Sequence, residues 1–377
     1  MVARSNTRSD VLVVGGGVIG LAIALELRLR GATVTVLTRN FNEAASHAAA
    51  GMLAPQAEKL PPGAMLELCL RSRSLYPDWT QKLETLTGLP TGYWSCGILA
   101  PVYESELNAN VSGSTTANLI SDTQPPTSAH WLDRVTLQQH QPGLSEEVMG
   151  GWWYPDDAQV DNRLLTKVLR VAVCDVGVAW RESIAVQKIL QRGDRVIGVQ
   201  TTDGTFQAAH YVLATGAWSQ DLLPIPVQPR KGQMLSVQVP AGATPALQSV
   251  LFGSEIYIVP RQDGRIVIGA TSEAVGFTPE NTPEGVEALL ERATRLYPAL
   301  RSLPLQEVWW GFRPATPDEL PLLGASPYDN LTLATGHYRN GILLAPVTAQ
   351  LLADRILHQQ SDLLLDAFHW SRFKAVL

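Results

Sequence analysis

The sequence contains little cysteine and little charge. Only three cysteines occur among 377 residues, an odd number with no C-x-x-C pair. This excludes a disulfide framework and a cysteine-ligated metal site, and it fits a reducing cytoplasm. Charged residues make up 17% of the chain and the formal net charge is −6, so the chain lacks the basic field that holds nucleic acid or an anionic membrane. We therefore expect small molecules as partners.

Long uninterrupted apolar runs are also missing. No stretch approaches the roughly 18 to 20 apolar residues of a membrane span. The run from Val11 to Leu25 follows Arg4 and Arg8, as the apolar part of a signal peptide would, but four glycines between positions 15 and 20 interrupt it. We expect a soluble, cytoplasmic protein without a signal peptide.

Apolar residues are abundant, at 45%, and predict a large buried core. Residues 10–37 have the pattern of a βαβ unit, whereas residues 178–213 and 233–270 have the pattern of short strands joined by turns. This mixture predicts an α/β fold (α+β mixed), in which an antiparallel substrate domain interrupts a Rossmann-type domain. We assign residues 1–60, 150–225 and 311–377 to the nucleotide-binding domain, and residues 61–149 and 226–310 to the substrate domain. The Ser/Thr/Asn-rich residues 108–128 predict a long surface loop or a lid.

A glycine motif, Gly15-x-Gly17-x-x-Gly20, joins the first predicted strand to the first predicted helix. In this context the pattern is the dinucleotide fingerprint. Gly15 permits a tight turn, Gly17 lets the backbone approach a pyrophosphate, and Gly20 lets helix and strand pack closely. The alternative is a glycine-rich turn without a ligand.

An acidic residue normally follows this fingerprint by about 20 positions and binds the ribose hydroxyls. Here Thr38 and Arg39 occupy that place. An arginine there can read a 2′-phosphate, so the motif alone leaves a nicotinamide dinucleotide phosphate open.

Further segments resemble the FAD-dependent D-amino-acid oxidase family. They are Ala-Ala-Ala-Gly-Met-Leu at 48–53, Ala-Thr-Gly-Ala-Trp-Ser at 214–219 and Gly-His-Tyr-Arg-Asn-Gly-Ile-Leu at 336–343. Residues 255–261, 268–273 and 310–314 also match, and the chain is most similar to the glycine oxidases of thiamine biosynthesis. The resemblance runs from about Asp10 to about Phe368, and it implies a glutathione-reductase-like FAD domain.

The resemblance implies a set of FAD-binding residues. The fingerprint glycines would contribute, Val18 and Ile19 would face the pyrophosphate through their backbone, and residues 337–343 would border the flavin ring. The implied cofactor residues are Gly15, Gly17, Val18, Ile19, Gly20, Thr38, Arg39, Ala45, Ser46, Ala50, Gly51, Met52, Val186, Gly216, His337, Tyr338, Arg339, Asn340, Gly341, Ile342 and Leu343. The FAD would be non-covalent, because the cysteines lie far upstream of the C-terminal region that carries the flavin-linking cysteine in sarcosine oxidase relatives.

A helix is expected to begin between Asn340 and Pro346, since proline suits a first helical turn. Amides at that N-terminus would stabilise negative charge on the flavin.

Three residues are implied in substrate binding. Arg313 would clamp the substrate carboxylate, Tyr257 would donate a hydrogen bond to it, and Arg339 would lie beside the site. Tyr257 could instead be a core residue, and Arg339 could anchor its loop through backbone carbonyls. Arg313, between aromatic residues, is either buried and paired or bound to an anion. A loop histidine, His337, could bond to backbone, and hydride transfer needs orientation more than a base, so we expect no essential side-chain base.

The implied activity is oxidation of glycine, or of sarcosine or small D-amino acids, with O2 reduced to hydrogen peroxide and the imine hydrolysed to glyoxylate and ammonia. A thiazole synthase is the implied protein partner, and we expect a homo-oligomer. Two alternatives stay open at this point: a D-amino-acid or sarcosine dehydrogenase with a non-oxygen acceptor, and a flavin-carrying assembly partner that does not turn over.

Overall fold

The computed structural model of the chain describes residues 9–106, 128–242 and 247–373. The predicted surface loop or lid at 108–128 lies outside the described residues except for Ser128. The helices are α1 (Val18–Leu29), α2 (Ala45–Ala48), α3 (Ala64–Thr87), α4 (Arg134–His140), α5 (Asn162–Asp175), α6 (Pro283–Leu296) and α7 (Gly341–His358). The strands are β1 (Ser9–Val14), β2 (Val34–Leu37), β3 (Met52–Leu53), β4 (Ile98–Tyr103), β5 (His130–Asp133), β6 (Val148–Tyr154), β7 (Ala158–Gln159), β8 (Ala179–Arg181), β9 (Val186–Arg192), β10 (Arg195–Thr201), β11 (Gly204–Phe206), β12 (Ala208–Leu213), β13 (Gln228–Gln238), β14 (Val250–Phe252), β15 (Tyr257–Pro260), β16 (Arg265–Gly269), β17 (Leu305–Ala315), β18 (Leu322–Ala325) and β19 (Leu331–Thr335).

The predicted βαβ unit forms the centre of a six-stranded sheet with the order β18-β19-β12-β1-β2-β8. All of its neighbouring strands are parallel except β18, which is antiparallel to β19. Side chains alternate along β1: Val11 and Val13 join a core with α1, α3, α5 and α7, whereas Leu12 and Val14 join a second core on the other face. The Rossmann-type part of the prediction is confirmed.

A small antiparallel sheet of β9, β10 and β11 packs against that second face. Its turns fall at Gly193-Asp194 and Asp203-Gly204, where the sequence placed turn dipeptides. The meander therefore covers the side of the parallel sheet that the helices leave open.

The large sheet has eight strands in the order β17-β13-β16-β15-β14-β4-β6-β5. Its pairs are antiparallel except for β4 and β14, which run parallel. Helix α6 packs Leu289, Ala293 and Leu296 into the core beneath this sheet. The prediction of an antiparallel domain inserted into the Rossmann-type domain is confirmed, while the residue boundaries of the two domains stay a prediction.

Helix α3 packs with the parallel-sheet domain, although the sequence division grouped it with the other one. Its buried Leu68, Cys69 and Leu83 belong to the same core as α1 and α7. A polar contact that sequence patterns do not reveal accompanies this packing, since the hydroxyls of Ser72 and Tyr76 donate to backbone carbonyls in the first turns of α7.

That contact follows from a proline in α7. The helix begins at Gly341, within the predicted interval, but Pro346 lies inside the helix instead of in its first turn. Proline has no N–H, so the carbonyl of Ile342 lacks its intrahelical donor. The Tyr76 hydroxyl supplies the donor at 2.5 Å, and the Ser72 hydroxyl donates to the Leu343 carbonyl at 2.6 Å. Helix α3 thus completes the hydrogen bonding of α7.

Candidate active site

A deep cleft opens at the carboxyl ends of β1, β2 and β12 and continues to the large sheet. Its empty volume is about 1870 Å³, including space open to solvent. The strand order reverses between β1 and β12, which is the place where α/β sheets bind their ligands. The predicted residues that line it are Gly15, Gly17, Val18, Ile19, Thr38, Arg39, Ala45, Ser46, Ala50, Gly51, Met52, Val186, Gly216, Tyr257, Arg313, His337, Tyr338, Arg339, Gly341 and Ile342.

The glycine turn leaves no room for a side chain at Gly15 or Gly20. Gly15 has φ +117°, and a Cβ there would overlap the carbonyl oxygen of Ala214. A Cβ on Gly20 would overlap the carbonyl oxygen of Gly15. Gly20 is therefore a packing position beneath the cleft wall, as its place in the fingerprint predicts, and Gly15 and Gly17 form the wall itself.

The N-terminus of α1 points into the cleft. Helix geometry leaves its first amides without intrahelical acceptors, which favours an anion. The amide of Val18 already donates to the Ser46 hydroxyl at 2.9 Å, so this amide, predicted to face the pyrophosphate, is held by Ser46. The backbone of Gly16, Gly17 and Ile19 also lines the cleft and offers the remaining surface for phosphate.

The end of the cleft beside β2 has no acid at position 38 and is lined by other polar residues. Arg39 lies over the ring of Trp218, 4.6 Å from its centroid, and pairs with Glu43 at 2.8 Å. Glu43 and Asn40, which the sequence reading missed, also line the cleft and are bonded to each other. Because Arg39 is already paired, it is poorly placed to select a 2′-phosphate, and Glu43 is a carboxylate within reach of this end.

A buried arginine fixes the alanine-rich segment that forms one wall. Arg261 donates to the Ala50 carbonyl at 2.6 Å and to the Gln159 side chain at 2.6 Å. Burial lowers the pKa of this guanidinium to about 10, and the nearby Asp161 carboxylate opposes the shift. Gly51 has φ +73°, and its missing Cβ lets the segment press against the Val160 carbonyl. The sequence reading missed the role of Arg261.

The C-terminal loop reaches the cleft between β19 and α7. The Tyr338 amide donates to the Pro314 carbonyl at 2.9 Å, which ties the loop to β17. His337 is buried, 3.4 Å from the Thr348 hydroxyl, and burial lowers its pKa to about 3, so the ring is neutral. Within residues 337–343, two predicted residues do not line the cleft: Asn340 is the N-cap residue of α7, and the Leu343 side chain packs into the core.

The two predicted substrate residues from the large sheet meet in the cleft. Arg313 on β17 donates to the Thr271 carbonyl at 3.0 Å, and the Tyr257 hydroxyl on β15 lies 3.2 Å from the Met234 sulfur. A Cβ on Gly232 would overlap the Arg313 guanidinium, and one on Gly269 would overlap the Tyr257 ring. These two glycines therefore make the space in which both side chains face the cavity.

A buried carboxylate lies beside the third predicted residue. Glu58 Oε2 is 3.5 Å from an Arg339 nitrogen, and it makes no hydrogen bond within the described residues. Burial raises the pKa of Glu58, and the Arg339 and Arg313 guanidiniums oppose that shift. The Arg339 guanidinium also stacks on the Tyr338 ring. Arg339 is thus held by a carboxylate and a ring, and Glu58 is a cleft residue that the sequence reading missed.

The shape and donors of the cleft fit a dinucleotide with a flavin at the far end. One end offers an exposed carboxylate and amide, the middle offers glycines and a helix N-terminus, and the far end offers a second helix N-terminus near two arginines. The sequence profile of one family, FAD dependent oxidoreductase (DAO), matches residues 10–355. The chain belongs to this family. It is therefore an FAD-dependent oxidoreductase, and the cleft fits its FAD.

Curated relatives of this oxidoreductase cover almost the whole chain. The bifunctional protein ThiO/ThiG of Trichormus variabilis is 60% identical over 97% of the chain, but the chain spans only 55% of that protein. The chain thus spans about half the length of such relatives. The glycine oxidase of Geobacillus kaustophilus is 35% identical, with 97% of both proteins covered.

Solved structures agree with the fold. The crystal structure of glycine oxidase from Geobacillus kaustophilus superposes with a TM-score of 0.88 at 35% identity, covering 97% of this chain and 99% of that one. Among the described residues, no helix is both long enough and apolar enough to cross a membrane.

Proposed function

We propose that this oxidoreductase is a glycine oxidase that also accepts sarcosine or small D-amino acids. The observation that carries the proposal is the pairing of Arg313 with Tyr257 at the flavin end of an FAD cleft. A guanidinium and a phenol are suited to hold a small carboxylate. The relative of equal length from Geobacillus kaustophilus is named glycine oxidase, and this name supports the assignment.

The proposed reaction balances as glycine plus O2 plus water giving glyoxylate, ammonia and hydrogen peroxide. FAD, when bound, supplies the two-electron acceptor between the amino acid and O2. Arg313 binds the carboxylate through two parallel donors, and Tyr257 adds a third donor. Burial raises the pKa of Tyr257, which keeps the phenol protonated and able to donate. Fixing the carboxylate orients the Cα–H bond, and this orientation is the main contribution of the protein.

The chain's own residues support a reaction without a side-chain base. His337 lines the cleft, and burial lowers its pKa to about 3, which makes it a weak proton acceptor. Glu58 is committed to Arg339. We therefore retain the prediction that no essential acid or base acts on the substrate.

The physiological role that we propose is supply of the imine for thiamine biosynthesis. The relatives named ThiO/ThiG join a homologous segment to a further segment, which supports a thiazole synthase as protein partner. A homo-oligomer and a cytoplasmic location remain part of the proposal, and the three free cysteines are compatible with that location.

The test is an anaerobic titration of the yellow holoprotein with glycine, followed by peroxide assays with glycine, sarcosine and D-alanine. A glycine oxidase loses its flavin absorbance near 450 nm under anaerobic glycine and forms peroxide in air, whereas a dehydrogenase bleaches without forming peroxide. A protein that only carries flavin does not bleach, and this result would refute the proposal.

The carboxylate clamp is tested by Arg313→Ala. Loss of a buried charge pair costs about 3 to 5 kcal/mol, which predicts a roughly 10² to 10³-fold or greater loss of kcat/KM for glycine. Arg192→Ala is the control, since Arg192 is an exposed residue of β9 outside the cleft lining. Near-normal glycine turnover in Arg313→Ala would contradict the clamp.

A further inference from the structure

The substrate end of the cleft contains an unusual set of charges. Arg313 and Arg339 both line it, as does Glu58, while His337 is neutral. A zwitterionic amino acid has one carboxylate and needs one guanidinium to match it. Two guanidiniums without compensation would suit a ligand with two negative groups.

Glu58 is placed to compensate one of them. Its side chain is only 8% exposed, and Oε2 lies 3.5 Å from Arg339. The same oxygen has no hydrogen-bond partner within the described part of the chain. A buried carboxylate oxygen without a hydrogen-bond donor is unfavourable unless a nearby cation stabilises it, and Arg339 is the cation beside Oε2.

The two arginines differ in how they are held. Arg313 is fixed through one nitrogen to the Thr271 carbonyl, a neutral partner that leaves the guanidinium charge available. Arg339 contacts the Glu58 carboxylate and the Tyr338 ring, and its side chain remains 45% exposed. With Glu58 ionised beside Arg339, the local charge is one net positive unit, located at Arg313.

We propose that Glu58 is a specificity-determining residue that sets the substrate end to a single positive charge, and so selects amino acids with one carboxylate against those with a second anionic group. This inference rests on the proposed function, because it takes the cleft end as the amino-acid site. Glu58 repels a second anionic group directly, and it also pairs with the Arg339 guanidinium that would otherwise bind that group.

The experiment measures anion binding and needs no turnover. Acetate and malonate, both fully ionised at pH 8, are titrated into the FAD-loaded protein at fixed ionic strength, and binding is followed by the change in the flavin visible spectrum. The quantity compared is the ratio of the malonate and acetate dissociation constants. Glu58→Gln keeps the size of the side chain and removes its charge, whereas Glu58→Asp keeps the charge.

In Glu58→Gln the malonate dissociation constant should fall by about tenfold or more relative to that of acetate. The reason is that the attraction between the freed Arg339 guanidinium and a second carboxylate is strong at close range in a partly dry site. In Arg339→Gln the malonate dissociation constant should rise relative to that of acetate. The double variant Glu58→Gln/Arg339→Gln restores one net positive charge, so its ratio should return to within about threefold of the original. Glu58→Asp should also keep the original ratio.

A merely structural role predicts something else. If Glu58→Gln weakens acetate and malonate equally, or leaves the ratio unchanged, the inference is wrong. It is also wrong if the double variant keeps the ratio of either single variant. If Glu58→Gln alone loads FAD poorly, the double variant can still be compared with Arg339→Gln. Acetate binding without glycine oxidation would refute the proposed function while the charge selection stands.

Discussion

The contact between α3 and α7 allows the stability cost of losing one buried hydrogen bond to be predicted. Tyr76 is fully buried, and its hydroxyl donates to the Ile342 carbonyl at 2.5 Å. Burial raises the pKa of Tyr76 well above its usual value, so the phenol remains a donor. Tyr76→Phe removes that donor and leaves a buried carbonyl that Pro346 prevents the helix from satisfying. A buried polar group without a partner costs about 1 to 3 kcal/mol, and we expect this loss in the free energy of unfolding.

Pro346→Ala tests the cause of that loss. Alanine supplies the N–H that bonds the carbonyl four residues earlier, which is that of Ile342. With this donor present, the Tyr76 hydroxyl becomes redundant, so Tyr76→Phe should cost less than about 1 kcal/mol in the Pro346→Ala background. Tyr93→Phe is the matched control: Tyr93 stacks on Tyr76, and its hydroxyl makes no hydrogen bond within the described residues.

The assay is guanidinium unfolding of the unsubstituted protein, the two single variants, the double variant and the control at one fixed excess of FAD, since bound cofactor contributes to stability. The reasoning requires a coupling of about 1 kcal/mol or more between the two substitutions. It is refuted if Tyr76→Phe costs the same in both backgrounds, or if Tyr93→Phe costs as much as Tyr76→Phe.

Three further predictions concern the cofactor cleft and the sheet. Gly20→Ala would place a Cβ against the Gly15 carbonyl, so the purified protein should retain little FAD, as read from its 450 nm to 280 nm absorbance ratio. Burial lowers the pKa of His210 to about 4, below its unfolded value of 6.5. The stability that comes from its neutral form is therefore fully present above pH 6.5. About 3 kcal/mol of the free energy of unfolding is lost as the pH falls to 4. In His210→Gln the free energy of unfolding, measured by denaturant titration at several pH values, should depend less on pH over that range. Arg261→Met leaves the Ala50 carbonyl and the Gln159 side-chain oxygen without their buried donor, while Arg265 still pairs with Asp161. It should lower the free energy of unfolding by about 1 to 3 kcal/mol for each oxygen in denaturant titrations, and an unchanged midpoint would contradict its role.

The parts of the fold that were predictable from sequence are those with local patterns. The βαβ unit at residues 10–37 combines an apolar strand, a glycine turn and a helix within one short segment, and each signal is independent of the rest of the chain. The cleft residues at 15–20 follow from it. Positions 45–52 and 337–343 came instead from a family resemblance, since small apolar loops carry no periodicity of their own.

The residues that the sequence did not reveal depend on distant partners. Glu58 lies in the irregular segment between β3 and α3, and its role comes from Arg339, which is far away in sequence but 3.5 Å away in space. Arg261 looks like the end of a strand, yet it bonds to backbone 211 residues earlier. Helix α3 has an apolar face that could pack on either domain, and two hydroxyls pairing with α7 accompany its packing on the parallel-sheet domain.

These cases share one physical cause. The walls of the cleft are built from irregular backbone, because a cofactor must contact main-chain groups that a regular helix or sheet would use internally. Such backbone cannot satisfy its own buried carbonyls, so distant side chains do it: Arg261 for the segment containing Ala50, and Ser72 with Tyr76 for the start of α7. The side chains that support the site are therefore polar, fully buried and remote in sequence. For this reason a substitution at Tyr76, which does not line the cleft, is expected to act on the helix whose N-terminus faces it.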